Sequence, residues 1–314
     1  METAAAPLRA ALRSLLKLRP GEGFRVGMMF LYSLAAIGGV YILGREVSRT
    51  LFLTLLPESA TPYKFILPPF FIVLTSAFYA RIAPRYRLGR VIIGTSLLMI
   101  VGMILFRFVL NTPFGQTFAG TAALYVYFEV IINLVGIQFW TYTADIFNPR
   151  EAKRVLGHVA AGGVLGNAVS GFGLRLLAPL LPAADMIFIV AGSLFLGVVC
   201  VWLLERRQVD TTDRGTAPTT AAQPGRLSTN LRAIAQSPLL VQIGAILILS
   251  AMIKNLAAYQ MDLSLQRFFA TDAQAMLTFL ANFQIITGVL AVFIQLFATN
   301  RILSKLGLVV ALLM

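Results

Sequence analysis

One cysteine and one histidine in 314 residues leave almost nothing for thiol or imidazole chemistry. A lone Cys200 cannot close an internal disulfide, and metal sites built from thiolates and imidazoles need three or four such ligands. No metal site and no cofactor are therefore expected. Charge is scarce as well: Asp, Glu, Lys and Arg make up 12% of the chain, against about 25% in an ordinary soluble domain. No phosphate-cradling Walker loop occurs, and no nucleophile stands beside a base, which excludes an ATP-driven pump or a hydrolytic enzyme within this chain. Any transport would run on gradients or exchange.

What is present is apolar. Hydrophobic residues form 58% of the sequence and the mean hydropathy is +0.81. Long apolar runs lie at 25–44, 64–84, 91–110, 117–142, 157–180, 184–204, 238–259 and 274–298, with a ninth beginning at 308. Each complete run has the ~20 residues that a helix needs to cross a hydrocarbon layer ~30 Å thick. The period-two alternation of a membrane barrel is missing, so the backbone groups must be satisfied within helices. The fold class read from this is all-α, a polytopic transmembrane helical bundle.

The 26 Lys and Arg residues are placed unevenly. Nineteen fall in the N-terminal segment and in alternate gaps: Arg9, Arg13, Lys17, Arg19 and Arg25; Arg81, Arg85, Arg87 and Arg90; Arg150, Lys153 and Arg154; Arg206, Arg207, Arg214, Arg226 and Arg232; Arg301 and Lys305. The intervening gaps hold six, Arg45, Arg49, Lys64, Arg107, Arg175 and Arg267, and Lys254 lies inside a span. The positive-inside bias places the first group and the N-terminus in the cytoplasm, with odd helices running outward. Loops facing an anionic inner leaflet account for the net charge of +13 without a nucleic-acid partner. The expected location is a bacterial inner membrane.

Residues 1–24 are too charged for a cleaved signal, and Arg9, Arg13 and Lys17 among Leu8, Leu12, Leu15 and Leu16 predict an amphipathic helix along the interface. Residues 25–204 then form a six-helix bundle, 205–236 a Thr, Ala, Pro and Gly-rich cytoplasmic linker, and 237–314 the start of a second bundle. A shift of 218 residues pairs Tyr41 with Tyr259, Arg49 with Arg267, Phe65 with Phe283, and Arg87, Leu88, Gly89 and Val91 with Lys305, Leu306, Gly307 and Val309. Two parallel halves around a long central loop form the arrangement in which a transporter binds its substrate between halves. The second half is incomplete, with two helices and part of a third. A stump such as LVVALLM would leave its carbonyls in hydrocarbon, so a truncated chain is expected; the alternative is a half-transporter completed by dimerisation.

Glu129 lies ~18 Å along the fourth run, near the bilayer centre, where a carboxylate must be paired or hydrated. A role in proton coupling or as a salt-bridge switch is expected, with Asn133 one turn on as a binding residue; helix glue through Tyr125 or Tyr127 is the structural alternative. Arg45 and Arg49 are one turn apart and suited to gripping an oxyanion. Arg45 is also ~30 Å up the helix from Arg25, where snorkelling or a Glu46 pair explains it equally well. Lys254, ~24 Å into its span, calls for an anionic substrate or a partner such as Glu129, with snorkelling to the outer leaflet as the structural alternative, and Asp262 shares its face approximately. Gly162, Gly166 and Ser170, beside Gly163, Asn167 and Gly171, are small-residue stripes for close helix packing. His158 is expected at the cytoplasmic start of that helix.

The segment FWTYTADIFNPREAKRVLGHVAAGGVLGNAVSG, residues 139–171, resembles the ATP:ADP antiporter family of bacteria and plastids. YILGREVSRTLFLT and TPYKF are similar to that family's first-helix pattern, though Ser48 and Arg49 stand where the family has Lys and Asp. The chain thus resembles an outlying bacterial member, related in fold to the major facilitator transporters. The resemblance implies that Glu151, Ala152, Lys153 and Arg154 form a cytoplasmic gate loop between helices four and five, that Glu129 is the family's acidic transport residue, and that the solute is a nucleotide or related phosphorylated anion. From the residues alone, a proton-coupled carrier of another solute and a non-transporting scaffold or sensor remain open. The bilayer is the one further partner expected.

Overall fold

The computed structural model describes residues 22–209, 238–269 and 272–293. Among these residues the chain folds into eight long helices and no strand. They are α1 Glu22–Leu55, α2 Tyr63–Ile82, α3 Leu88–Val109, α4 Phe118–Ile146, α5 Pro149–Leu177, α6 Met186–Val209, α7 Pro238–Phe269 and α8 Ala273–Phe293. All eight are long and apolar enough to cross a membrane, so the protein is a multi-pass integral membrane protein. The predicted interfacial helix in 1–24, save for its last residues, the linker beyond Val209 and the ninth run lie outside the described residues.

Alternate ends of the helices fall together. The end holding Glu22, the Ala83–Arg85 turn and residues 147–148 is termed proximal; the end holding Leu55, Phe114–Gln116 and residues 178–185 is termed distal. Local chemistry sets several boundaries. Thr117 caps α4, its Oγ1 accepting from Gly120 N at 3.3 Å. Asn148 and Pro149 open α5, because proline is preset for the first helical position and loses no bond there.

Three helices outrun their apolar stretches by eight residues or more. The first does not stop at residue 44 but continues to Leu55, the fifth begins at Pro149 rather than 157, and the seventh ends at Phe269 rather than 259. Hydropathy measures what lipid tolerates, whereas a helix can carry polar residues onward where protein encloses it, as over 45–55, or where it runs on at an exposed end, as over 149–156. His158 is accordingly not at a helix start but well inside α5.

α1 is the axis of the assembly, packed against α4, α5 and α6. Its central stretch Leu34–Leu43 is wound as a π-helix, a wider turn than the α-helix on either side. Lipid gives helices no hydrophobic reason to associate, so close contact depends on small residues. Here the glycine stripe of α5 supplies it. A Cβ at Gly162 would lie 2.3 Å from Phe30 O, one at Gly166 2.8 Å from Leu34 O, and one at Gly38 of α1 2.4 Å from Gly166 O. Ser193 of α6 donates to Ala35 O at 2.8 Å, satisfying a carbonyl within the wide turn. The packing expectation for the stripe holds, and Gly171 extends it to Ile285 of α8.

α7 and α8 attach to this six-helix body mainly through α1 and α5. The apolar window of α7 is 0% buried, against 61% for α1, so what holds α7 in place is concentrated in its distal, partly polar turns. A small apolar cluster of Phe52, Leu53, Leu56, Ala122, Tyr125, Leu265, Met276 and Leu280 joins the two sets of helices there.

Candidate functional site

The side chains that matter lie on one stretch of α1, GREVSRTLFLTL, where Arg45, Glu46 and Arg49 are brought inside the bundle. Because α1 runs on to Leu55, Arg45 sits ~15 Å below the distal end rather than at the outer interface. Glu129 lies ~16 Å from the start of α4 and so at matching depth. The two face each other: Arg45 Nε is 3.7 Å from Glu129 Oε1. Tyr125 donates to the same oxygen at 3.1 Å, and the Arg45 guanidinium lies 4.3 Å from the centre of the Tyr41 ring while donating to its hydroxyl at 3.0 Å. Glu129 thus has its expected cation, but supplied by Arg45 and not by Lys254.

One turn on, a second and tighter group forms. Arg49 Nε donates to Asp262 Oδ1 at 2.6 Å, and Lys64 Nζ donates to Asp262 Oδ2 at 2.5 Å. Asp262 is fully buried, with side-chain exposures of 12% and 6% for its two partners. Arg49 Nη1 also reaches Glu46 Oε2 at 3.5 Å, so Glu46 pairs with Arg49 rather than with Arg45. Glu46 Oε1 accepts from Gln284 of α8 at 2.9 Å. Gln266, one turn beyond Asp262, donates to Leu53 O at 2.9 Å and Leu56 O at 3.1 Å, and accepts from Thr61 at 2.6 Å. It thereby satisfies carbonyls that the last turn of α1 leaves open.

Three cations, Arg45, Arg49 and Lys64, are balanced by three acids, Glu46, Glu129 and Asp262. The balance is what burial demands, since an unpaired ion in a dry site is far costlier than a pair. The Asp262 contacts also cross from the first six helices to α7, and the Glu46 contact crosses to α8.

Other predicted residues are placed differently. Asn133 donates to the backbone oxygen of Glu129 at 2.8 Å, not to its carboxylate. Lys254 is exposed on α7 and makes no ion pair among the described residues, which leaves Asp262 turned toward Arg49 and Lys64 instead. Tyr127, the alternative donor to Glu129, donates to Met99 O of α3 at 2.9 Å. Glu151 and Arg154 are not in a loop but on the first turns of α5, because Asn148 and Pro149 start that helix early. They fasten it to α1: Arg25 lies 3.4 Å from Glu151, and Arg154 2.5 Å from Glu22. Lys153 shares this turn of α5; its side chain lies outside the described residues.

Sequence reasoning missed Lys64, Gln266 and Gln284 as site residues. Lys64 was counted among loop charges, yet its position between two aromatics, Tyr63 and Phe65, at the start of an apolar run was a signal of enclosure. Asp262 and Gln266, four residues apart, share a helix face that needs polar company.

The sequence model of the family described as TLC ATP/ADP transporter matches residues 118–314. The chain belongs to this ATP/ADP transporter family. The match begins with α4 and covers Glu129, Asp262, Gln266 and Gln284, whereas Arg45, Arg49 and Lys64 precede it. No curated protein and no solved structure matches the chain.

In this ATP/ADP transporter family member the Gln266 contacts provide a direct test of the junction. Gln266→Leu strips the Leu53 and Leu56 carbonyls, at the end of α1 and just past it, of their partner, and a buried polar group left unpaired costs about 1–3 kcal/mol. A corresponding fall in the thermal midpoint of the purified protein is expected.

Proposed function

We propose that the protein exchanges nucleotides, or a closely related phosphorylated anion, by alternating access of its two sets of helices. Membership of the ATP/ADP transporter family supports the substrate class. The single observation that supports the mechanism is the buried Arg49, Asp262 and Lys64 group, in which cations fit for phosphate are held by an acid from the other set of helices. Arginine offers a planar fork matched to oxyanions and lysine a compact charge. Arg45, one turn away and tethered to Glu129 at a looser 3.7 Å, is a third contact for an elongated anion. Lys254, exposed on α7, remains a proposed contact on the opposite wall.

A scaffold would have little use for such a group. Replacing buried ion pairs by apolar residues of similar volume is often neutral or stabilising by about 1–4 kcal/mol, so pairs kept at membrane depth call for a reason beyond stability. The proximal end, which carries the excess of basic residues, is assigned to the cytoplasm.

The test is uptake of labelled ATP into proteoliposomes of the full-length protein preloaded with ADP or phosphate. Exchange is expected, and Arg49→Gln should lower it at least about tenfold, the effect of about 1.4 kcal/mol in binding. No exchange by the native protein overturns the nucleotide reading. The proton-coupled reading draws on Glu129, whose pairing is the loosest in the group. Under it, Glu129→Gln would abolish proton coupling while leaving exchange intact.

A further inference from the structure

We infer that Asp262 is an internal substitute for a substrate phosphate, and that its occupation of the cation site is what prevents the empty carrier from changing sides. The inference rests on the anion-exchange reading above and adds a residue that makes exchange obligatory.

The geometry is that of a bound oxyanion. Two oxygens of one carboxylate are each held by a separate cation, Oδ1 by Arg49 of α1 at 2.6 Å and Oδ2 by Lys64 of α2 at 2.5 Å. Asp262 is fully buried, and no other cation among the described residues lies within salt-bridge distance of it. The neighbouring Arg267 is held by Glu58 at 3.3 Å, and Lys254 is exposed with no ion pair. A phosphate that takes Arg49 and Lys64 therefore evicts Asp262, and no other cation among the described residues stands within reach to receive it.

Eviction also releases a closure. Asp262 belongs to α7 while both cations belong to the first six helices, so the contact that neutralises the site ties α7 across the distal end. The remaining ties there include hydrogen bonds, Thr61 to Gln266 and Gln284 to Glu46, which water can replace once the ion contacts part. Loading and opening become one event. Without an anion the cations keep Asp262, and the distal end stays shut.

The experiment uses proteoliposomes of the full-length protein preloaded with labelled ATP, and reads release without external nucleotide against release with external ADP. The native protein is expected to release label only when ADP is outside. Asp262→Asn should raise the unstimulated fraction at least about tenfold relative to the stimulated one. An unchanged ratio in a variant that still exchanges overturns the inference while leaving exchange in place; absence of stimulated release from the native protein removes the exchange reading instead.

Neutralising a buried acid between two cations can prevent folding, so a second measurement keeps Asp262 intact. Thr61 is fully buried beside Gln266. In a Cys200→Ser background, Thr61→Cys should be protected from a membrane-impermeant maleimide in the absence of ligand and become reactive when ATP is added. Labelling that ignores ATP overturns the proposal. The same cysteine in an Asp262→Asn background should react without ATP.

Discussion

Gly38→Val is expected to leave too little folded protein to purify. Even a methyl group at Gly38 would lie 2.4 Å from the carbonyl oxygen of Gly166 and 2.6 Å from two further backbone atoms of α5. No side chain can rotate away to make room. Overpacking typically costs about 1–3 kcal/mol and more when backbone must move, and here the displaced backbone is the main contact of the central helix. Because association in lipid depends on such close approach, separation of α1 from α5 has no hydrophobic term to oppose it. Gly27 of the same helix is the control: nothing lies within 4 Å of a Cβ there. Gly27→Ala should be neutral or stabilising, by up to about 1 kcal/mol of helix propensity. Detergent-extracted yield and elution profile read both variants, and a well-folded Gly38→Val protein would mean that α1 and α5 are not in contact.

Lys64→Met is expected to cost about 3–5 kcal/mol, the usual penalty for removing one partner of a buried ion pair. Lys64 and Asp262 are both enclosed, so water cannot take over the missing charge. The measurement is thermal unfolding of the purified protein. The double variant Lys64→Met with Asp262→Leu should regain most or all of the loss, since the pair is then replaced by apolar volume and Arg49 keeps Glu46. That variant should be stable and unable to exchange nucleotide. Stability and transport would thus be separated in one protein, an outcome that a structural role for the pair does not produce. A loss under about 1 kcal/mol for Lys64→Met would mean that the amine is hydrated.

The alternation of basic gaps and apolar runs made the helix count and path legible, because both follow from the cost of moving charge into hydrocarbon. The need of Glu129 for a cation was legible for the same reason, and so was the shared helix face of Arg45 and Arg49. Partners were not. Glu46 pairs with Arg49, Glu129 with Arg45, and Asp262 with a lysine 198 positions away. Such distances in sequence carry no periodic signal. Helix ends were misjudged where a helix runs on past the hydrocarbon-like stretch, and the eleven residues added to α1 moved its arginines from an interface into the interior. Lys64 was misread because a count of charges by side treats every cation near a span's end as solvated.

The matched charges of the central group bear on how the protein meets an electric field. Moving one elementary charge through the membrane potential is worth about 2.3 kcal/mol per 100 mV. Arg45, Arg49 and Lys64 travel with Glu46, Glu129 and Asp262, so this group by itself offers a membrane potential nothing net to pull on. At this group voltage would enter only with cargo, through whatever charge an incoming anion carries beyond that of the one leaving.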